Sequence, residues 1–476
     1  MGHARADITP PLGVPMGGYA NRGSRGCEEI EEALVTDAIY LEQGGVGAVL
    51  LAADLIAIDE SWGGRVRRAV GERLRIPPEH VVLVASHTHF GPATRPYEMG
   101  DAAHRAWLDR TVEQMVETAV QAASRASVAT LRLGRRDVGP MMYNRRLRRR
   151  DGTCRSVLRL PLPEPDLTFG PVDPKLTVLR FDGPDGRPLA LLVSVGIHPV
   201  IGGGNFMGIS PDYPGVLRRT LEAGYGAPAV FALGTAGNVV PIQRGKGQRE
   251  RIGRYLAGAA YEASETAEPV PVRLSVAHDR IDLPSAPRLP KAEMDRVVEE
   301  ARRRVAALSQ GASPGAVGAG GAAGTGAGGA NSGSSPEDAP RTARQARDEL
   351  RRLESVALAA ERLGVGSTIP FEITAIGLGD FGICCLPGEI FAETGLEIQA
   401  RSPFVNTLVL SLANQSTGYL ATRTALWEGG YEASVTLMSA ESEGAAVDNA
   451  VRLLIGAWER GLDVSAADGR EAIAAS

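Results

Sequence analysis

Cysteine is scarce in this chain and lysine almost absent. The four cysteines, Cys27, Cys154, Cys384 and Cys385, form no zinc-ribbon or disulfide-scaffold spacing, which excludes a stapled domain or a structural zinc module. Cys384 and Cys385 lie inside an apolar, strand-like run and read as buried thiols. Lysine occurs only at Lys175, Lys246 and Lys291, and the remaining basic charge is arginine. With a formal net charge of −5, the chain lacks the electrostatic footprint of a nucleic-acid binder. Its one dense basic run, Arg145-Arg146-Leu147-Arg148-Arg149-Arg150, reads for most of its length as a solvated loop or hairpin face. No run approaches transmembrane length. The first ten residues hold no apolar signal core, so a cytoplasmic location is expected by default.

What is present is alternation. Val46 to Leu55 is strand-like and Trp62 to Leu74 helical; the apolar run Val81-Val82-Leu83-Val84 follows, then a long helical pattern from Ala103 to Ala126. Further strand-like runs cover residues 176–181, 189–197, 230–233, 379–386 and 407–412. This order predicts an α/β fold, a mixed β-sheet core flanked by helices. With 476 residues, 43% of them hydrophobic, the chain can bury a large core. One catalytic domain is expected over residues 1–466, with residues 467–476 as a tail. Residues 311–340 are Ala/Gly/Ser-rich and cannot bury enough apolar surface to order themselves. Charge-rich helical segments flank them at 291–308 and 342–363. The whole reads as a helical hairpin whose tip carries a flexible insertion within the domain.

Histidine is rare too, with seven in all, yet two stand together in Ala85-Ser86-His87-Thr88-His89-Phe90-Gly91-Pro92. If the preceding strand continues through them, period-two alternation puts His87 and His89 on one face, suited to holding a metal or moving a proton. The alternative is a pair of hydrogen-bonded loop histidines. His198 ends a second run, Val193-Ser194-Val195-Gly196-Ile197-His198-Pro199, where Gly196 and Pro199 suggest a fixed turn. Ser210-Pro211-Asp212-Tyr213-Pro214-Gly215 is turn chemistry, with Asp212 a possible helix cap. Glu389 follows Cys384-Cys385-Leu386-Pro387-Gly388 and opens a helical pattern, so it reads either as a ligand or as a partner of the helix N-terminus. Three strand ends thus each deliver one ligand-type group: His87, His198 and Glu389. Sites in open α/β sheets form beyond the carboxyl ends of strands, and two histidines plus a carboxylate make a common catalytic zinc shell.

In this order the motifs resemble the catalytic domain of the neutral/alkaline non-lysosomal ceramidase family. The matching stretches are Ala6-Asp7-Ile8-Thr9-Pro10-Pro11, Met16-Gly17-Gly18-Tyr19, His87-Thr88-His89 and Tyr143-Asn144-Arg145. They continue through Gly196-Ile197-His198-Pro199, Ser210 to Gly215, Ala236-Gly237-Asn238, Leu386-Pro387-Gly388-Glu389 and Gly430-Tyr431-Glu432-Ala433-Ser434.

The resemblance implies one Zn2+ per chain, held by His87, His198, Glu389 and Tyr431, with Tyr419 as the rival tyrosine. It implies that His89 is an active-site histidine off the metal and that Arg145 lines the pocket. Catalytic roles then fall to His89, Tyr431 and Arg145: proton relay, a hydrogen bond to the oxyanion, and anchoring of a polar or anionic part of the substrate. Two departures stand out. Val240 occupies the place of a serine that ceramidases carry before the proline of Gly237-Asn238-Val239-Val240-Pro241, and the likeness is to the catalytic domain alone. The expected activity is therefore zinc-dependent hydrolysis of an amide in a small N-acyl substrate, with ceramide or another lipid amide, or an ester or lactone, as alternatives. A catalytically silent scaffold is the third reading.

Overall fold

The computed structural model describes residues 1–474 except 20–21, 23–24, 96–99, 161–164, 287–290, 311–345 and, but for Leu350, Leu353, Glu354 and Ala357, 347–367. The chain forms two compact units, Met1–Pro284 with Ile369–Ser476, and Ser285–Thr368.

The larger unit is built on three sheets. In the first, Gly2–Asp7, Val35–Gln43 and Val46–Ala53 run antiparallel in sequence, and Val81–Ala85 joins Val46–Ala53 in parallel after the helix Glu60–Leu74. In the second, Pro188–Val195 pairs in parallel with Ala229–Leu233 across the helix Tyr213–Tyr225, and the antiparallel strands Lys175–Asp182, Thr130–Asp137 and Glu268–Val270 complete it. The third repeats the device: Phe381–Cys385 pairs in parallel with Asn406–Leu410 across the helix Ala392–Arg401, beside Thr368–Leu378 and Leu274–Pro284. Each sheet is therefore mixed, with one strand–helix–strand crossover, as parallel pairing requires.

The apolar runs are continuous because both faces of these strands are buried. Along Val81–Ala85 the residues alternate between two cores. Val81, Leu83 and Ala85 join the core under the helices Glu60–Leu74 and Ala102–Ser124; Val82 and Val84 join a second core with Leu192, Val230, Ile383 and Leu410. That second core holds residues of all three sheets, so their inner faces share one apolar layer. Cys384 and Cys385 are fully buried in the third sheet, as free thiols. The last helix, Ser442–Ala474, packs on Leu274–Pro284 and continues through the stretch expected as a tail.

The smaller unit contains the helix Lys291–Gln310, in which Arg302 pairs with Glu354 at 2.8 Å. The low-complexity stretch 311–340 and most of the second hairpin segment lie outside the described residues.

Candidate metal centre

In each of the three sheets one parallel strand ends just before one of the three expected ligands. His87 follows Ala85 by two residues, His198 follows Val195 by three and Glu389 follows Cys385 by four. The strand before His87 stops earlier than a period-two reading requires. His87 has φ of +64°, in the left-handed region, so it and His89 meet through a turn and not on a pleated face. A β-branched residue or any side chain without compensating contacts is strained there. Three bonds hold the turn: Ser86 N–H to the Ala53 carbonyl, His87 N–H to the Leu55 carbonyl, and Asn414 Oδ1 accepting from Leu83 N–H.

The imidazoles are aimed by their far nitrogens. His87 Nδ1 lies 2.6 Å from the Ile56 carbonyl, and His198 Nδ1 lies 2.7 Å from the Ala236 carbonyl. A carbonyl only accepts, so both Nδ1 atoms carry hydrogen and both Nε2 atoms present lone pairs. Those two Nε2 atoms sit 3.0 Å apart, and Glu389 Oε2 is 3.4 Å from each. Glu389 Oε2 is buried and has no hydrogen-bond partner. Three electron-rich atoms facing one another in a dry pocket repel unless a cation sits between them. The edges of a tetrahedron around zinc, with Zn–N of about 2.0–2.1 Å, are about 3.3 Å long, close to these separations. The residues fit a metal ion.

The acidities follow the same geometry. Burial pushes the His198 imidazole down to about 4, against the pull of Glu389, so it is neutral at neutral pH. Burial alone would raise the Glu389 carboxyl, but His87 and His198 hold it well below the usual carboxylate range. Both shifts favour the ligand forms, a neutral imidazole and a carboxylate.

His89 belongs to the same cluster, with Nε2 3.3 Å from His87 Nε2, and His87, His89 and His198 could together hold a metal. It differs in its outer contact. His89 Nδ1 is buried without a hydrogen-bond partner, whereas a metal-bound histidine nearly always donates its other N–H to an acceptor. Burial first, then His87 and His198, keep this ring well below the usual histidine range. Its ring packs edge-on against Tyr19, centroids 4.9 Å apart.

Tyr431 opens the short helix Tyr431–Val435 and is 54% exposed, whereas Tyr419 is 8% exposed. The two rings stand 6.1 Å apart. The Tyr431 phenol is held above its ordinary value, first by desolvation and then by Glu389. Among the described residues its hydroxyl makes no hydrogen bond.

Arg145 is buried, and much of its fork is spent on the protein. Nε donates to Glu432 Oε1 at 2.5 Å; one terminal nitrogen donates to the Gly237 carbonyl at 2.9 Å and to the Tyr419 hydroxyl at 3.0 Å. Arg146 also meets Glu432, at 3.3 Å, and is 3% exposed, so the start of the basic run is a buried ion cluster and not a solvated face. Glu432, fully buried, was unassigned by the sequence even though it lies inside a matched motif. Asn238 is a second such residue: it accepts from Ala392 N–H and donates to Glu393, tying the loop that backs His198 to the Glu389 loop. Asp212 does cap the helix Tyr213–Tyr225, accepting from Tyr213 N–H.

No family model and no curated protein matches this chain. Among solved structures it is similar to the neutral ceramidase of Pseudomonas aeruginosa, with a TM-score of 0.69 and 20% identity, over 96% of this chain and 74% of that one. It is similar as well to a ceramidase complexed with C2, at 0.67 and 19%, over 96% and 75% of the two chains. The larger unit with its three mixed sheets therefore carries a neutral ceramidase-like fold.

Proposed function

We propose that this protein is a zinc-dependent hydrolase that cleaves the amide bond of a small N-acyl compound. The reading is carried by one observation: the facing Nε2 atoms of His87 and His198 and the unpartnered Glu389 Oε2, all within 3.4 Å. The names of the structural neighbours, both ceramidases, support hydrolysis of an N-acyl bond. Zinc held there supplies a Lewis acid and a water acidic enough to ionise near neutral pH.

The chain's own residues do the rest. His87, His198 and Glu389 hold the ion in a fixed frame, the imidazoles oriented by the Ile56 and Ala236 carbonyls. Neutral His89 stands ready to take a proton at Nε2 and return it to the departing amine nitrogen, work commonly worth about 100- to 10,000-fold in rate. Protonated at neutral pH, the Tyr431 hydroxyl either completes the ligand set or donates a hydrogen bond to the developing oxyanion. Arg145 acts from behind, fixing Tyr419 and Glu432.

Metal analysis and amide turnover test this directly. His87→Ala and Glu389→Ala are each expected to lose bound zinc and all measurable hydrolysis, a larger loss than the about 10- to 100-fold of an outer-shell change. A variant that kept its zinc and its full rate would sink the assignment. Substrate class is read on a panel from short N-acetyl amines to a fluorescent ceramide: turnover confined to short polar amides supports the small-substrate reading, and ceramide turnover replaces it.

A further inference from the structure

Beside the histidine cluster lies a guanidinium with nothing to hold. Arg244 follows the strand Val239–Pro241, which pairs antiparallel with Met142–Asn144 so that Val240 stands opposite Tyr143. Its Nε and one terminal nitrogen are buried and make no hydrogen bond. Val240 shares an apolar cluster with Tyr143 and Val200, against which Tyr19 and Ile242 pack, and the Arg244 charge bears on Tyr19, Tyr143 and Arg145. Tyr19 packs on His89, which in turn lies 3.3 Å from His87. The Tyr143 hydroxyl is buried and unpartnered too, and the Tyr19 hydroxyl makes one long contact, 3.4 Å, to the Val200 carbonyl.

No carboxylate among the described residues answers this charge. Asp212 is near enough to act on Arg244, but its oxygens accept backbone N–H groups from Ile201, Gly202 and Tyr213. Glu432 is taken by Arg145 and Arg146. Arg22, stacked on the Tyr19 ring, donates to the carbonyls of Gly17, His89 and Phe206 and, among the described residues, meets no carboxylate. Burying a cation without an anion is costly, and leaving its donors unmade adds to the cost. Among the described residues, therefore, the region is set up to receive a negative charge that they do not supply.

We propose that Arg244, with the Tyr143 and Tyr19 hydroxyls, binds a carboxylate of the substrate, so that the amide cleaved is that of an N-acyl amino acid. The forked guanidinium suits a planar carboxylate, and two phenols that stay protonated at neutral pH can only strengthen the grip by donating. Neutral lipid amides lack the group this pocket asks for. The inference rests on the amide-hydrolase reading above and narrows it.

The test compares N-hexanoylglycine with its uncharged counterpart N-propylhexanamide on the zinc-loaded protein, as KM and kcat. Calorimetric binding is measured with the non-cleavable ketone analogues, in which a methylene replaces the amide nitrogen. The acid is expected to bind about 10- to 100-fold tighter than the neutral compound, the range of a charge-assisted hydrogen-bond pair. Arg244→Gln should erase that preference through KM, and Arg244→Lys should restore part of it. Equal affinity of the wild type for both compounds overturns the proposal without any variant. So does a preference that survives in a natively melting Arg244→Gln protein, which would put the acid on the metal. Should Arg244→Gln fail to fold, Tyr143→Phe reads the same preference. Arg244-dependent binding of the acid analogue with no amide cleaved sustains the anion site and sinks the hydrolase reading; cleavage of neutral amides with no preference for acid does the reverse.

Discussion

At the residue scale, the proposed metal centre rests on how the far side of two imidazoles is committed. His87 and His198 spend Nδ1–H on carbonyls, so their Nε2 lone pairs are fixed toward each other and toward Glu389. His89 is not anchored in this way, and that difference is testable. His89→Ala is expected to keep about one zinc per chain while kcat falls by about 100- to 10,000-fold, the usual worth of a positioned proton carrier. Zinc content measured alongside the rate decides it: loss of the metal would make His89 a ligand. Arg145 is a different kind of residue. Its ion pair with fully buried Glu432 means that Arg145→Ala leaves that carboxylate with Arg146 and Ser156 but one charged partner short, and a loss of about 1–3 kcal/mol in denaturant unfolding is expected.

The elements explain why three distant segments meet at all. Each sheet contributes one parallel strand, and the carboxyl ends of Val81–Ala85, Pro188–Val195 and Phe381–Cys385 lead into the ligand loops. The loop after Ala229–Leu233, whose Ala236 carbonyl orients His198, is pinned to the Glu389 loop by close backbone contact. Gly237 donates its N–H to the Ile390 carbonyl, and a Cβ built on it would come within 2.7 Å of the Glu389 carbonyl oxygen. Gly237→Ala must therefore push the Glu389 segment away from His87 and His198. Overpacking of this sort costs about 1–3 kcal/mol, and a displacement near 1 Å can cost about 100-fold in rate, so weakened zinc retention and a reduced kcat are expected together. Unchanged zinc affinity in a stable variant would show that the two loops are set independently.

For the whole molecule, buried ion pairs tie the N-terminal strand to the rest. Asp37 is 1% exposed and meets His3 Nε2 and Arg5 Nε, each at 2.8 Å. Burial acts to raise its carboxyl, but His3, Arg5 and Arg218 outweigh it and hold the group below its ordinary value. An acid depressed in the folded state stabilises the fold above its unfolded value, about 3.9, and that contribution disappears as pH falls through the folded value. Asp37→Asn is accordingly expected to lose about 2–4 kcal/mol at pH 7, with the gap to wild type closing below about pH 4 in urea titrations. A gap independent of pH would assign the loss to packing. No helix among the described residues is long and apolar enough to cross a membrane.

The alternation of apolar runs and helical patterns was legible because local periodicity is written residue by residue: the expected strands at 176–181 and 230–233 lie within observed ones, and that at 407–412 overlaps Asn406–Leu410 and runs two residues past its end. His87, His198 and Glu389 were legible for the same reason: each stands directly after an apolar run, where a parallel strand ends. The path between the histidines was not. After Ala85 the backbone turns onto the Ala53 and Leu55 carbonyls, and Asn414, more than three hundred residues away, takes up the backbone of Leu83; no local pattern reports such partners. Arg145, Arg146 and Arg244 carry the same lesson. A sequence shows an arginine but not its counterion: Glu432 reaches the first two from the far end of the chain, while among the described residues Arg244 meets no carboxylate that is free to answer it. Short-range order comes from the chain itself, whereas charge compensation is a property of the folded neighbourhood, and only the tertiary structure decides it.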